Sequence, residues 1–160
     1  MKKLLLLCTC AVLLLAGCDR TTKPADDSEA VHKLMANVVD VQAKVFWRSS
    51  AWVSDEAGVR SLAPTTEEGW AATRSAAAEI AEAGQLLTTS QFAEGRSEDW
   101  LVFARALEEI GRKAEAAAAD RDQDALLETG GVMFRVCTGC HETFGGEIAP
   151  SRGANQGEEN

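Results

Sequence analysis

The stretch DRDQDALLETGGVMFRVCTGCHETF, residues 120–144, combines a helical sequence pattern with a rare arrangement of cysteine and histidine. Cys137 and Cys140 are three positions apart, and His141 follows directly. In an α-helix, residues i, i+3 and i+4 lie on one face about one turn apart. The pattern therefore predicts that the three side chains share one face of a helix that runs from about Gln123 to Phe144.

The sequence C-x-x-C-H is the attachment signature of c-type haem. The thiols of Cys137 and Cys140 can each bond one vinyl group of the haem, and the imidazole of His141 then reaches the iron on its proximal side. The motif therefore predicts one covalently bound haem c.

Other interpretations of the two thiols depend on the rest of the chain. A zinc site needs about four protein ligands, or three and a water molecule. The only other histidine is His32, and the remaining three cysteines lie within the first 18 residues. A thioredoxin-like C-x-x-C needs a βαβ context, and no run has the alternation expected of a strand. A structural disulfide and a chance match to the haem signature remain as alternatives.

The N-terminus carries the pattern of an export signal. Lys2 and Lys3 precede an apolar run, Leu4–Ala16, that is shorter than the roughly 20 residues of a membrane-spanning helix. Leu15-Ala16-Gly17-Cys18 resembles the bacterial lipoprotein signal, so we predict a signal peptide over residues 1–17 and lipidation of Cys18. An ordinary cleaved signal is the alternative. Cleavage also removes Cys8 and Cys10, which leaves no spare thiol in an exported protein.

The expected location is the periplasmic side of a bacterial membrane, reached through the N-terminal lipid. By analogy with other lipoproteins, Asp19 favours retention at the inner membrane. The chain has a formal net charge of −9, which argues against nucleic acid as a partner. It favours redox proteins with a basic docking patch. A homodimer remains open.

The hydrophobic periodicity predicts four helices joined by short connections, which is the pattern of an all-α antiparallel four-helix bundle. A tether over residues 18–27 precedes a haem domain over residues 28–144, and a disordered tail covers residues 145–160. The predicted helices run from about 28 to 53, from 65 to 87, from the N-cap candidate Ser97 to about 117, and from 123 to 144, with a break at 54–64.

Two features of these helices bear on the site. The first helix has a core-facing stripe at steps of three to four residues, made of Val31, Leu34, Met35, Val38, Val41 or Gln42, and Val45. The pair Gly130-Gly131 costs about 1 kcal/mol per glycine within a helix. Close approach of the haem would compensate for this cost, and a kink or a helix start at Val132 is the alternative. The four tryptophans are expected to fill the core.

A single C-x-x-C-H on the last helix, after three helices of which the third is rich in alanine, resembles the class II c-type cytochromes, the cytochrome c′ group. The resemblance covers residues 28–144. It implies a monohaem protein that carries single electrons by Fe(III)/Fe(II) cycling and is not an enzyme. The chain departs from the family at Gly145, where members often have an arginine.

The resemblance also implies that the residue on the distal side of the haem comes from the first helix. Met35 is the candidate sixth ligand, although methionine on an apolar stripe is also an ordinary core residue. His32, one turn earlier, is a second candidate. Met133 and Phe134, just before the cysteines, are expected to pack on the haem. Without a sixth ligand the protein would instead be a five-coordinate binder of NO or CO.

Overall fold

The structure, a computed structural model, describes residues 25–148. This part of the chain is mostly helical, which confirms the predicted all-α class in its coarse form. The predicted signal peptide, most of the tether and the last part of the tail lie outside the described residues. In chain order the elements are α1 (Ala25–Leu34), a π-helical segment (Met35–Val39), α2 (Asp40–Ser49), β1 (Trp52–Asp55), β2 (Gly58–Ser61), α3 (Glu67–Leu87), α4 (Ser90–Ala93), α5 (Glu98–Ala119) and α6 (Gln123–Ile148).

The most extensive contact between helices joins α3 and α5, and the next joins α5 and α6. Glycine lets the first pair approach closely. A Cβ atom on Gly84 would lie 2.4 Å from the backbone nitrogen of Glu108, and one on Gly111 would lie 2.7 Å from that of Ala81. No side chain fits in either gap, so the two backbones are in direct contact here. Across residues 25–148, no helix is both long enough and apolar enough to cross a membrane.

The first predicted helix differs from the observed one in its register. The helix begins at Ala25, inside the predicted tether, and ends at Ser49. From the last residue of the π-helical segment onwards, the buried apolar positions are Val39, Ala43 and Phe46, each one residue later than the predicted stripe. The cause is a π-type hydrogen bond in which the Asp40 N–H donates to the Met35 carbonyl. It adds one residue to that turn and shifts every later position on the helix face.

Residues 52–61 form a β-hairpin, so the prediction that the chain has no strand was wrong. The strands are antiparallel, and Val53 pairs with Arg60. The Asp55 side chain accepts a hydrogen bond from the Ala57 N–H at 3.0 Å, and Gly58 takes a positive φ of 112° that closes the turn. The hairpin is short and largely exposed, so it has no buried face to impose an apolar and polar alternation on its sequence.

The remaining helix ends lie close to their predicted positions. The Thr66 side chain accepts a hydrogen bond from the Gly69 N–H at 3.1 Å and so caps α3, and Ser97 is the N-cap residue of α5. Asp122 accepts from the N–H groups of Asp124 and Ala125 at the start of α6. Two differences remain. The short helix α4 lies in the connection between the second and third predicted helices, and α6 continues to Ile148, four residues into the predicted tail.

The tryptophans divide between core and surface. Trp70 and Trp100 are buried, as predicted, and the Trp100 indole donates to the Leu87 carbonyl at 2.8 Å. Trp47 is half-buried, whereas Trp52 is 48% exposed on the hairpin. The prediction of core packing therefore fails for Trp52, because a two-stranded hairpin with no layer over it buries neither of its faces.

Candidate functional site

The C-x-x-C-H motif lies in the second half of α6, where the helix is continuous. Cys137, Cys140 and His141 all line one pocket, as the spacing predicted. Both cysteines are half-buried free thiols, and His141 is exposed at the edge of the pocket. The two thiols and the imidazole therefore reach a common space from one helix face.

Met35 lines the same pocket from a different part of the chain. It is the first residue of the π-helical segment and lies 102 positions before Cys137 in the sequence. The pocket has room of about 50 Å³, and its lining is almost entirely apolar. The remaining lining residues come from four elements and are Val39, Leu87, Trp100, Phe103, Ala104, Leu107 and Val136.

The surroundings keep both thiols uncharged at neutral pH. Burial, and to a smaller extent the neighbouring Cys140, raise the pKa of the Cys137 thiol from 9.0 to about 11. Burial also raises the pKa of Cys140, and the positive charge of Arg96 acts against that rise. Arg96 itself is held over the Trp100 ring, with its guanidinium carbon 4.0 Å from the ring centre. This cation therefore lies close enough to the motif to act on it.

An aromatic wall borders the motif. Phe103 lies directly against Gly139, so that a Cβ atom there would be 3.0 Å from the Phe103 ring. The rings of Phe103 and Phe144 meet edge to face at 6.2 Å, and those of Trp100 and Phe144 at 5.3 Å. The glycine between the two cysteines therefore gives the Phe103 ring access to the C-x-x-C turn.

Sequence reasoning did not single out this wall. Trp100, Phe103 and Leu107 are spaced three to four residues apart, and this spacing is the ordinary signature of a core-facing helix. Nothing in that pattern separates residues that border a pocket from residues that fill the core. Arg96 gave no signal at all, because it lies in the connection before α5.

Met133 and Phe134 do not line the pocket, and their packing on the haem stays a prediction. Met133 is fully buried in the hydrophobic core, one turn deeper along α6 than the cysteines. Phe134 is 59% exposed and meets Trp47 edge to face at 6.2 Å. The two residues precede the motif by one turn, and at that level α6 packs on other helices rather than on the pocket.

The surroundings of His32 and of the glycine pair are also defined by the structure. His32 is exposed and is not among the residues that line the pocket. Gly130 lies against Ser50, since a Cβ atom there would be 2.7 Å from the Ser50 hydroxyl oxygen. Its carbonyl accepts a hydrogen bond of 3.4 Å from the Trp47 indole. Contact with Ser50 therefore gives one reason for this glycine, and α6 runs through the pair, so the alternative of a helix start at Val132 was wrong. Contact of the pair with haem stays a prediction.

The chain matches no protein-family model, no curated protein and no solved structure. Among the described residues, no three side chains of histidine, cysteine, aspartate or glutamate form a group that could hold a metal ion. The interpretation of the pocket therefore rests on the motif and on the residues that surround it.

Proposed function

We propose that the chain is an exported, lipid-anchored monohaem c-type cytochrome that carries single electrons, built as a four-helix bundle of the cytochrome c′ kind. The four long helical segments would be α1–α2, α3, α5 and α6. One observation carries the proposal: Met35 lines the same apolar pocket as Cys137, Cys140 and His141, although the sequence separates them widely.

The residues present suit a haem in two respects, and one rearrangement would be needed to admit it. Two neutral thiols and an imidazole project from one helix face, which is the donor set that covalent attachment requires. The remaining lining is apolar, as the flat faces of a porphyrin require. The present room of about 50 Å³ accommodates only a few water molecules at roughly 10–15 Å³ each. The ring of Phe103, which lies over Gly139, would have to move aside.

In this proposal Cys137 and Cys140 would hold the haem covalently, and His141 and Met35 would bind its iron. When bound, the haem supplies one-electron Fe(III)/Fe(II) chemistry. A methionine opposite a histidine raises the reduction potential relative to two histidines. The apolar lining acts in the same direction, because it disfavours the more highly charged oxidised state. The half-buried Arg96 adds a positive charge near Cys140 that also favours the reduced state.

The placement of the pocket suits an anchored protein. Met35 is ten residues after the start of α1, about 15 Å along the helix at 1.5 Å per residue. The pocket also adjoins Leu87 at the end of α3 and Trp100 near the start of α5, so in an antiparallel bundle it would lie towards the end of the helices where α1 begins. A lipid on Cys18 would hold this end nearest the membrane. A redox partner with a basic patch would dock on the acidic surface.

A second function has support from the lining itself. Val39, Leu87 and Leu107 offer no hydrogen-bonding group to a bound molecule. If Met35 does not ligate the iron, such a lining would suit a small uncharged ligand such as NO or CO. The alternative is therefore a five-coordinate gas-binding protein at the same site.

The test is spectroscopic. The full-length protein is coexpressed with a c-type maturation system, and its haem is followed by denaturing gel electrophoresis and by optical spectra in the oxidised, reduced and CO-treated states. We expect covalent haem, a low-spin reduced spectrum and little reaction with CO. Met35→Ala should give a high-spin protein that binds CO and keeps its covalent haem. Met133→Leu is the matched control and should leave the spectrum unchanged, because Met133 lies in the core.

Two results would contradict the proposal in different ways. Haem that extracts from the wild type into acidic solvent would exclude covalent attachment by Cys137 and Cys140. A wild-type protein that is already high-spin and binds CO as readily as Met35→Ala would exclude Met35 as a ligand, and the gas-binding function would replace electron transfer.

A further inference from the structure

The outer side of α6 carries a short apolar stripe that is exposed to solvent. Leu127 is 37% exposed and Phe134 is 59% exposed, although both are large apolar side chains. They are seven residues apart, which is about two turns, so they point in nearly the same direction. Gly131 lies between them and is also exposed. We call these three residues the α6 stripe.

Gly131 has no packing partner that explains a glycine at this position. Glycine weakens the middle of a helix relative to alanine. Gly84, which touches the backbone of α5, and Gly130, which touches Ser50, each have a reason in the fold. For a Cβ atom added to Gly131, the nearest atom would be a guanidinium nitrogen of Arg135 on the same helix, at 3.8 Å. Within residues 25–148, no atom from another element therefore occupies the space beside Gly131, and a helix of another molecule has room to approach it.

Two exposed charges flank the α6 stripe. Glu128 follows Leu127 directly and Arg135 follows Phe134, so both charges lie on the same side of the stripe. They are separated by about 10 Å along the helix, at 1.5 Å per residue, which is too far for an ion pair with each other. Neither forms an ion pair with any other residue that the structure describes.

A two-fold axis beside Gly131 makes this surface complementary to itself. In an antiparallel pair of α6 helices that cross at this glycine, Leu127 of one copy meets Phe134 of the other. The same axis keeps the charged sides of the two helices together, so Glu128 of one copy meets Arg135 of the other. Every contact occurs twice, as in the closed two-fold dimers that are the commonest protein oligomers.

We propose that the α6 stripe is a homodimer interface, in which two copies of this chain pack α6 against α6 in antiparallel orientation with Gly131 at the crossing point. The occupant is a second copy because the pattern of charge and apolar side chains matches its own two-fold image. The inference is independent of the haem, since neither the stripe nor its two flanking charges line the pocket. His141 lies ten residues beyond Gly131, about 15 Å along the helix, so the pocket stays outside the central contact.

The molecular mass of the purified full-length protein tests the interface. Sedimentation equilibrium, in detergent that matches the density of the solvent, should give the wild type twice the mass of one chain at micromolar concentration. Gly131→Gln should be monomeric under the same conditions, because the larger side chain separates the two backbones. The same side chain has room in the monomer. In urea, this variant should therefore be at least as stable as wild-type protein that has been diluted until it is monomeric.

Reversal of the flanking charges tests the pairing itself. Glu128→Arg alone and Arg135→Glu alone should each raise the dissociation constant of the dimer by about tenfold, because each brings like charges together twice. An equimolar mixture of the two variants should regain the wild-type dissociation constant, since both pairs then join opposite charges again. Arg74→Glu reverses an exposed arginine on α3 and is the matched control, which should leave the dissociation constant unchanged.

Two results would overturn the proposal. One is a wild-type protein that remains monomeric at micromolar concentration. The other is a dimer that is weakened neither by Gly131→Gln nor by the charge reversals, because such a dimer must use a different surface.

Discussion

Helix α5 packs closely against α3 on one side and borders the open pocket on another. On one side, Gly84 and Gly111 bring two backbones into direct contact and leave no free volume. On the other side, Phe103 and Leu107 hold α5 away from Met35 and the motif on α6 and leave room of about 50 Å³. Small residues therefore hold the scaffold together, while large ones on the neighbouring face of α5 keep a space open.

The largest effect should come from one added methyl group at the close interface. In Gly84→Ala the new Cβ would lie 2.4 Å from the Glu108 backbone nitrogen and 2.8 Å from its Cα, and neither atom can move without the helix. We expect a loss of about 3 kcal/mol in the free energy of unfolding, at the upper end of overpacking costs. Urea unfolding of the haem-free protein measures it.

Gly131→Ala is the matched control for this substitution. Gly131 is also helical, but it is exposed, and the atom nearest to a methyl group added there would be a guanidinium nitrogen of Arg135, at 3.8 Å. Here the change should stabilise the protein by up to about 1 kcal/mol through helix propensity alone. Equal changes in the free energy of unfolding at the two glycines would show that the close α3–α5 contact does not explain the effect of Gly84→Ala.

A smaller effect should appear in the pH dependence of the pocket. Burial raises the pKa of Cys137 from 9.0 to about 11, so the folded protein holds this proton more tightly than the unfolded chain does. The stabilisation is complete below pH 9 and is lost as the pH rises towards 11. We expect the haem-free wild type to lose roughly 1–2 kcal/mol over this range relative to Cys137→Ser.

The comparison with Cys137→Ser isolates this group, because the substitution removes only this thiol. Urea unfolding at about pH 8, 9, 10 and 11 provides the measurement, since this series runs from below the lower pKa up to the higher one. A difference in the free energy of unfolding that stays constant across the series would mean that the Cys137 thiol is not shielded from water. The pocket would then be open to solvent, unlike the α3–α5 interface.

The smallest effect should come from a methyl group added inside the pocket. Val136 lines the pocket, and the available room of about 50 Å³ can take one further carbon. Val136→Ile should therefore change the free energy of unfolding of the haem-free protein by less than about 1 kcal/mol. A cost as large as that of Gly84→Ala would show that the pocket walls are as closely packed as the scaffold.

Much of the helical scaffold could be predicted because its signals are local. Thr66, Ser97 and Asp122 lie at helix starts, and their side chains or positions suit the first turn regardless of what the helix packs against. The shared face of Cys137, Cys140 and His141 follows from helix geometry alone. The hairpin at 52–61 escaped prediction because its two strands have no buried face to pattern their sequence.

The residues of the pocket were harder to predict because they come from distant parts of the chain. Met35 was selected by resemblance, and its place at the pocket depends on how α1 meets α6. Spacing along α6 did not indicate that Met133 lies in the core and does not line the pocket. Spacing along one helix predicts the direction in which a side chain points around the helix axis. It does not predict which other element that side chain will meet.

The sequence by itself determined that the chain is largely helical, where most helices start, and that two thiols and an imidazole share one face, because these properties depend on contacts within about one turn. Only the tertiary structure decided that Met35 faces that motif and that Gly130 meets Ser50. It also decided that an extra residue interrupts the first helix. These outcomes arise because α1, α2, α3 and α6 must all pack against one another at the same time. The sequence of one helix alone does not show how its neighbours are placed.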